Sequence, residues 1–206
     1  SYLKNDTMIN NPSLPRMRTF EGCPSPYLSN TLDNLIIENP NEKWLASWET
    51  NRGCPFSCTY CDWGSATNSK VARFEMERLY AELDWFSKMK IEFIFCCDAN
   101  FGMLPRDYDL VKYAAKVKSQ TGYPHVLSVQ STKNARERSY KVQKALFDYG
   151  LSKSINIAMQ STDLHTLKQI KRDNISLEDY RDLQIRFTND GIPTYVDFIL
   201  ALPGDT

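Results

Sequence analysis

The sequence predicts an α/β fold built on a parallel sheet, on two observations. After Thr50, short apolar runs alternate with longer segments of helical period, the pattern of repeated strand-helix units. At 206 residues and 42% hydrophobic content, the chain has length for one sizeable core and too little for two comfortable domains.

Taken in order, five apolar runs read as strands: 44–50, 91–97, 125–131, 154–160 and 194–200. Between them, Val71, Phe74, Leu79, Leu83 and Phe86 fall on one helical face. So do Leu110, Ala114 and Val117, and then Val142, Ala145, Leu146 and Tyr149. Each face is expected to cover the sheet. Gly150 and Gly191 sit where helices should stop, and Ser176-Leu177-Glu178-Asp179 reads as a capping box opening a helix through Tyr180, Leu183 and Phe187. Residues 1–40 are rich in Asn, Pro and Ser without a sustained period, and read as a linker or arm ahead of a core at 41–206.

Composition excludes several function classes. Lys plus Arg and Asp plus Glu number 25 each, so no global field draws the chain to nucleic acid or to an anionic membrane. The basic run from Lys168 to Arg172 reads first as a solvated helix face. No apolar stretch approaches the ~20 residues that cross a bilayer, and the N-terminus lacks a charged-then-apolar signal pattern. A cytoplasmic, reducing compartment is expected, where thiols stay available for metal.

The chemistry is expected at Gly53-Cys54-Pro55-Phe56-Ser57-Cys58-Thr59-Tyr60-Cys61, directly after the first strand. Parallel barrels build their sites at the carboxyl ends of their strands. Three thiolates from one short loop suit a cubane iron-sulfur cluster and leave its fourth iron open. A structural zinc site is the alternative, with Cys23, Cys96 or Cys97 as a fourth ligand; it would make the chain a zinc-stabilised binding module without turnover. A disulfide framework would require an oxidising compartment.

The CxxxCxxC spacing, with an aromatic residue before its last Cys, resembles the signature of the radical S-adenosylmethionine (SAM) superfamily at Cys54, Cys58, Tyr60 and Cys61. That resemblance implies a partial parallel (β/α)6 TIM-like barrel, of which this chain supplies five of about six units and is incomplete at its C-terminus. It also implies a [4Fe-4S] cluster held by the three cysteines, which chelates SAM and cleaves it reductively to methionine and a 5'-deoxyadenosyl radical. Tyr60 then corresponds to a position flanking the adenine.

Further segments are similar to the same family. Asp98-Ala99-Asn100-Phe101 replaces the usual Gly-Gly-Glu at the end of the second strand, and resembles an Asp-x-Asn-Phe variant of the cobalamin-associated branch. It makes Asp98 and Asn100 candidate contacts to the SAM amino group, although either could instead cap the following turn. Gln160-Ser161 with Leu167, Ile170 and Arg172 resembles the segment after the fourth strand, where the Gln and Arg positions contact SAM. Gln130, late in the third strand, is a further candidate, because strand-buried glutamines need partners. Asp197 interrupts the apolar fifth strand and should either face the cavity or pair with a Lys or Arg. Residues 202–206 resemble the family's LPGET turn, with Asp for Glu.

The segment 24–36 resembles the connection ahead of the barrel in cobalamin-binding members; on residues alone, Tyr27 and Leu28 read as a hydrophobic strap on the barrel's outer face. The resemblance thus implies a cobalamin-dependent methyltransferase, its cobalamin held by a domain outside this chain. Alternatives are a non-cobalamin radical SAM oxidoreductase or an RNA methylthiotransferase. The implied partners are a small-molecule or peptide substrate and an electron donor such as flavodoxin or ferredoxin.

Overall fold

The computed structural model describes residues 1–12, 19–20, 22–63, 70–132 and 136–205. Along the chain run β1 (Tyr2–Lys4), β2 (Thr7–Ile9), α1 (Asp33–Glu38), β3 (Leu45–Trp48), β4 (Asn51–Arg52), β5 (Ala72–Arg73) and α2 (Met76–Lys88). Then follow β6 (Phe93–Cys96), α3 (Asp107–Thr121), β7 (Val126–Ser128), α4 (Arg136–Asp148), β8 (Ile155–Asn156), α5 (Leu164–Gln169), α6 (Leu177–Asn189) and β9 (Thr194–Tyr195).

Strands β3, β6 and β7 form a parallel sheet, in register Leu45 to Phe93 and Phe93 to Val126. Strands β8 and β9 pair in parallel, Ile155 to Thr194. Side chains alternate across a strand, so Ala46, Trp48, Ile94, Cys96 and Leu127 all point one way and are buried. Against them pack Leu79, Leu83 and Phe86 of α2, Leu110, Val111 and Ala114 of α3, and Val142 and Leu146 of α4, in one core. The opposite residues Leu45 and Phe95 are exposed. The buried Glu82 carboxylate in this core is partnered on both oxygens: Trp48 Nε1 donates to Oε2 at 2.8 Å, and Arg78 Nε to Oε1 at 2.9 Å. A second cluster of Ile155, Leu183, Phe187 and Ile192 seats α6 on β8 and β9.

All five expected strands occur, each shorter than its apolar run. In the fourth, regular pairing lapses after Asn156 and resumes as a single bridge from Gln160, at a positive φ of 66°, to Phe198. The helix expected from Val71 begins instead at Met76. The preceding Ala72 and Arg73 are committed to an antiparallel ladder with Arg52 and Asn51, and Phe74 remains buried, stacked on Phe20 at 4.3 Å. Tyr149 lies just beyond α4 and is exposed, so it does not cover the sheet. Gly150 and Gly191 follow α4 and α6 with φ of 65° and 72°, and Ser176 caps α6 by accepting from Asp179 N–H at 3.0 Å.

The first 40 residues carry local structure that composition did not reveal. Tyr2–Lys4 and Thr7–Ile9 form a hairpin around Asn5 and Asp6, both at positive φ as a primed turn requires. Residues 13–18 and 21 of the arm lie outside the described residues. Tyr27 straps the core, with its ring 4.6 Å from Phe86 and 5.3 Å from Trp85 and its hydroxyl donating to Ser47 O. Burial and nearby negative charge push its phenol up to about 12. Leu28, expected in the same strap, is exposed and is not packed on the core.

Candidate functional site

The cysteine loop leaves β3 and is closed at its base by the β4–β5 ladder. Two groups set that base, half-buried Arg106 and buried Asp98. Arg106 donates from Nη2 to Thr50 O at 2.7 Å and from Nη1 to Phe74 O, tying the outgoing and returning strands together. The Asp98 carboxylate accepts from Thr50 N–H at 2.7 Å and Asn51 N–H at 3.1 Å on Oδ1; on Oδ2 it accepts from Asn51 Nδ2 at 2.7 Å and from the Thr50 hydroxyl. Asp98 is fully buried, and burial raises its pKa against the pull of these hydrogen bonds.

Gly53 then turns the chain with φ of 121°, and a Cβ there would lie 2.0 Å from Lys70 O. Only glycine permits this close return of the loop. Farther along, Thr59 N–H donates to Ile170 O at 2.9 Å, which docks the loop against the end of α5, and Cys61 N–H donates to Cys58 O at 3.2 Å within the loop itself.

A cavity of about 270 Å³ opens beside this loop, at the carboxyl ends of β7 and β8. Every site residue expected from the sequence except Asp98 lines it: Cys54, Cys58, Cys61, Tyr60, Asn100, Gln130, Gln160 and Arg172. Asp98 lies behind the wall with both carboxylate oxygens occupied by the loop's stem. Gln130 is exposed rather than strand-buried, because β7 ends at Ser128. Asn100 is buried and its Nδ2 donates to Cys54 Sγ at 3.2 Å.

Arg172 anchors the opposite wall. It donates from Nη1 to Tyr60 Oη at 2.6 Å, from Nε to Asn174 Oδ1 at 2.6 Å and from Nη2 to Ala158 O at 2.5 Å. A guanidinium carries five N–H groups, so this clamp leaves two for a ligand. Burial, opposed by the Arg172 charge, pushes the Tyr60 phenol up to about 12.

Asp197 faces the cavity and takes its hydrogen bond from Asn156 Nδ2 rather than from a Lys or Arg. Arg136, Asn156 and Asn174 also line the cavity, and sequence reasoning passed over them. Asn174 had a local signal, two residues past Arg172; Asn156 had only its parity within β8. The turn at 202–205 is seated by buried Leu202 and by Asp205, whose Oδ2 accepts from Ala201 N–H at 3.1 Å. Thr206 lies outside the described residues.

The donor set fits a cluster with one open position. No disulfide links any of the six cysteines, and only Cys54, Cys58 and Cys61 line the cavity. Cys96 points into the core, where burial drives its thiol pKa well up, as expected of an inert thiol. Among the described residues no three His, Cys, Asp or Glu side chains already stand as a set for a metal ion. The three cysteines share the cavity wall. No helix among those residues is long and apolar enough to cross a membrane.

Comparison with known proteins agrees with this geometry. The family model described as the Radical SAM superfamily matches residues 48–206. The chain is 44% identical over 182 residues to a 2-(S-pantetheinyl)-carbapenam-3-carboxylate methyltransferase of Streptantibioticus cattleyicolor, covering 87% of this chain and 27% of the relative. It is 41% identical over 197 residues to the cobalamin-dependent radical SAM methyltransferase TokK of Streptomyces tokunonensis, covering 95% of this chain and 29% of the relative. The chain thus spans under a third of these relatives. Among solved structures, the radical SAM methyltransferase TsrM of Kitasatospora setae aligns with a TM-score of 0.60 at 16% identity, over 82% of this chain and 33% of that one. The cobalamin-dependent SAM radical enzyme OxsB aligns at 0.55 and 20%, over 82% and 25%. At those identities the likeness is one of fold.

Proposed function

The chain belongs to the radical SAM superfamily, and from that premise we propose that residues 41–206 form the core of a cobalamin-dependent radical SAM methyltransferase, preceded by an arm at 1–40. The observation that carries this reading is the single cavity lined at once by Cys54, Cys58 and Cys61 and by the polar side chains of Tyr60, Asn100, Gln130, Gln160 and Arg172. The three cysteines hold a [4Fe-4S] cluster, and with Cys23, Cys96 and Cys97 outside the cavity one iron is left for SAM. When bound, the cluster supplies the electron that cleaves SAM, and cobalamin supplies a carrier for the methyl group.

The protein's own part is binding and orientation. Arg172, fixed by Tyr60, Asn174 and Ala158, presents its remaining N–H groups to the SAM carboxylate, a paired contact that guanidinium geometry suits. Gln130 and Gln160 supply neutral donors and acceptors along the same wall. Asp98 acts on the loop rather than on SAM, since its acceptor positions are taken by Thr50 and Asn51. Cobalamin is held outside residues 1–206, and a low-potential flavodoxin or ferredoxin in the cytoplasm delivers the electron. The name of the Streptantibioticus relative makes a carbapenam carboxylate with a pantetheinyl thioether the first substrate to assay.

The test is anaerobic reconstitution with iron and sulfide, followed by electron paramagnetic resonance of the reduced protein with and without SAM. The expected result is a four-iron signal that changes on adding SAM and is lost in Cys54→Ala, Cys58→Ala and Cys61→Ala, with iron falling to background. Stoichiometric zinc in place of iron, or a full cluster in Cys58→Ala, would overturn the reading.

A further inference from the structure

We propose that Asn100 is a positioning residue for the iron-sulfur centre, acting through Cys54 to raise the cluster's reduction potential. The inference rests on the cluster reading above. Asn100 is buried at the cavity wall, and its Nδ2 lies 3.2 Å from Cys54 Sγ. A ligating thiolate has only lone pairs to offer, so the amide must present its N–H side, not its oxygen. The contact therefore survives and strengthens when Cys54 becomes a thiolate, because hydrogen bonds to ionised acceptors are the stronger kind.

Two features hold the donor in place. Asn100 O accepts from Met103 N–H at 3.2 Å, and the next residue, Phe101, is fully buried and bonded through its N–H to Gln130 O at 2.8 Å. Two residues earlier, Asp98 grips Thr50 and Asn51. The segment after β6 thus holds the cysteine loop at its stem and again at its first sulfur, one fixing the loop's course and the other the charge on the ligand.

The electrostatic consequence has a definite sign. Reduction adds one electron to the cluster from an external low-potential donor such as dithionite, and the added negative charge spreads onto the sulfurs. An N–H aimed at one of those sulfurs stabilises the reduced form more than the oxidised form, and hydrogen bonds to sulfur are among the factors that set such potentials. Little solvent reaches the buried amide to take its place.

The test is a dithionite titration of the reconstituted protein, without SAM, followed by electron paramagnetic resonance, comparing wild type with Asn100→Leu. Leucine keeps the branched heavy-atom skeleton, with somewhat more bulk, and removes the donor. The expected result is equal iron and sulfide content in both proteins, with the variant's reduction equilibrium disfavoured about tenfold, or ~59 mV lower for one electron. An unchanged potential in a fully loaded variant would overturn the inference, as would a variant altered only in SAM affinity, which would make Asn100 a contact to SAM. Failure of the wild type to load a cluster would instead count against the function proposed above. Because Asn100→Leu could fail to load, electron-nuclear double resonance on wild type carrying amide-15N asparagine provides a second reading. Coupling of an asparagine amide nitrogen and its exchangeable proton to the reduced cluster is expected, and absence of that coupling overturns the inference without any variant.

Discussion

Removing the Asp98 carboxylate should loosen the cysteine loop before it touches SAM chemistry. In Asp98→Ala, two backbone N–H groups, the Thr50 hydroxyl and the Asn51 amide lose their acceptor together, in a place where Asp98 and Thr50 are fully buried and Asn51 nearly so. Each buried donor left unpaired costs about 1–3 kcal/mol, but these four share one carboxylate and will not add. Removal also relieves the cost of burying the charge, which already raises the Asp98 pKa. A net loss of about 3–5 kcal/mol follows, a large fraction of the stability of a typical domain. Asp98→Asn keeps Oδ1 for the two backbone groups and can donate to the Thr50 hydroxyl, but sets its own amide against Asn51 Nδ2. It should lose only about 1–2 kcal/mol. Urea unfolding of the three metal-free proteins should rank wild type above Asn above Ala, with iron loading following the same order. An alanine variant within about 0.5 kcal/mol of wild type, yet weakened in SAM binding, would refute the argument and return Asp98 to the SAM site.

Gly53→Ala should be worse for the loop than for the core. A side chain at φ of 121° is strained by roughly 1–3 kcal/mol, and its Cβ would sit 2.0 Å from Lys70 O. Circular dichroism should keep the helical signal while cluster reconstitution fails; normal loading would show that the loop returns by another path. Asp107 predicts a pH effect of known sign. Burial lifts its carboxyl from 3.8 to about 6 in the folded protein, against the hydrogen bonds it accepts from Gly102 and Leu104. The stability it contributes is therefore full below pH 3.8 and is lost as pH rises through about 6, a change of about 3 kcal/mol at most. Asp107→Asn should flatten urea stability between those pH values and exceed wild type at pH 7.5, and parallel pH profiles would contradict the assignment.

What was legible in the sequence was whatever rests on local chemistry. Three cysteines within eight residues announce an inorganic centre wherever the chain folds, and apolar runs alternating with helical periods announce strand-helix units. The roles of Asp98 and Asn100 were less accessible, because both are polar residues at a strand end and nothing local separates a ligand contact from a structural one. The partners that separate the two roles, Thr50, Asn51 and Cys54, lie more than 40 residues away in sequence. The β4–β5 ladder escaped notice for the same reason: two residues pairing across the cysteine loop leave no period to read, while Val71 and Phe74 happen to continue the helical spacing of α2. Asn156, Asn174 and Asp197 meet at the cavity only because β8 and β9 pair in parallel and the chain crosses back after α5. The sequence therefore exposes the residues that would hold the metal, whereas the residues that hold those residues are set by topology. It is in this second group that a shared scaffold can vary a cluster's potential without altering its ligands.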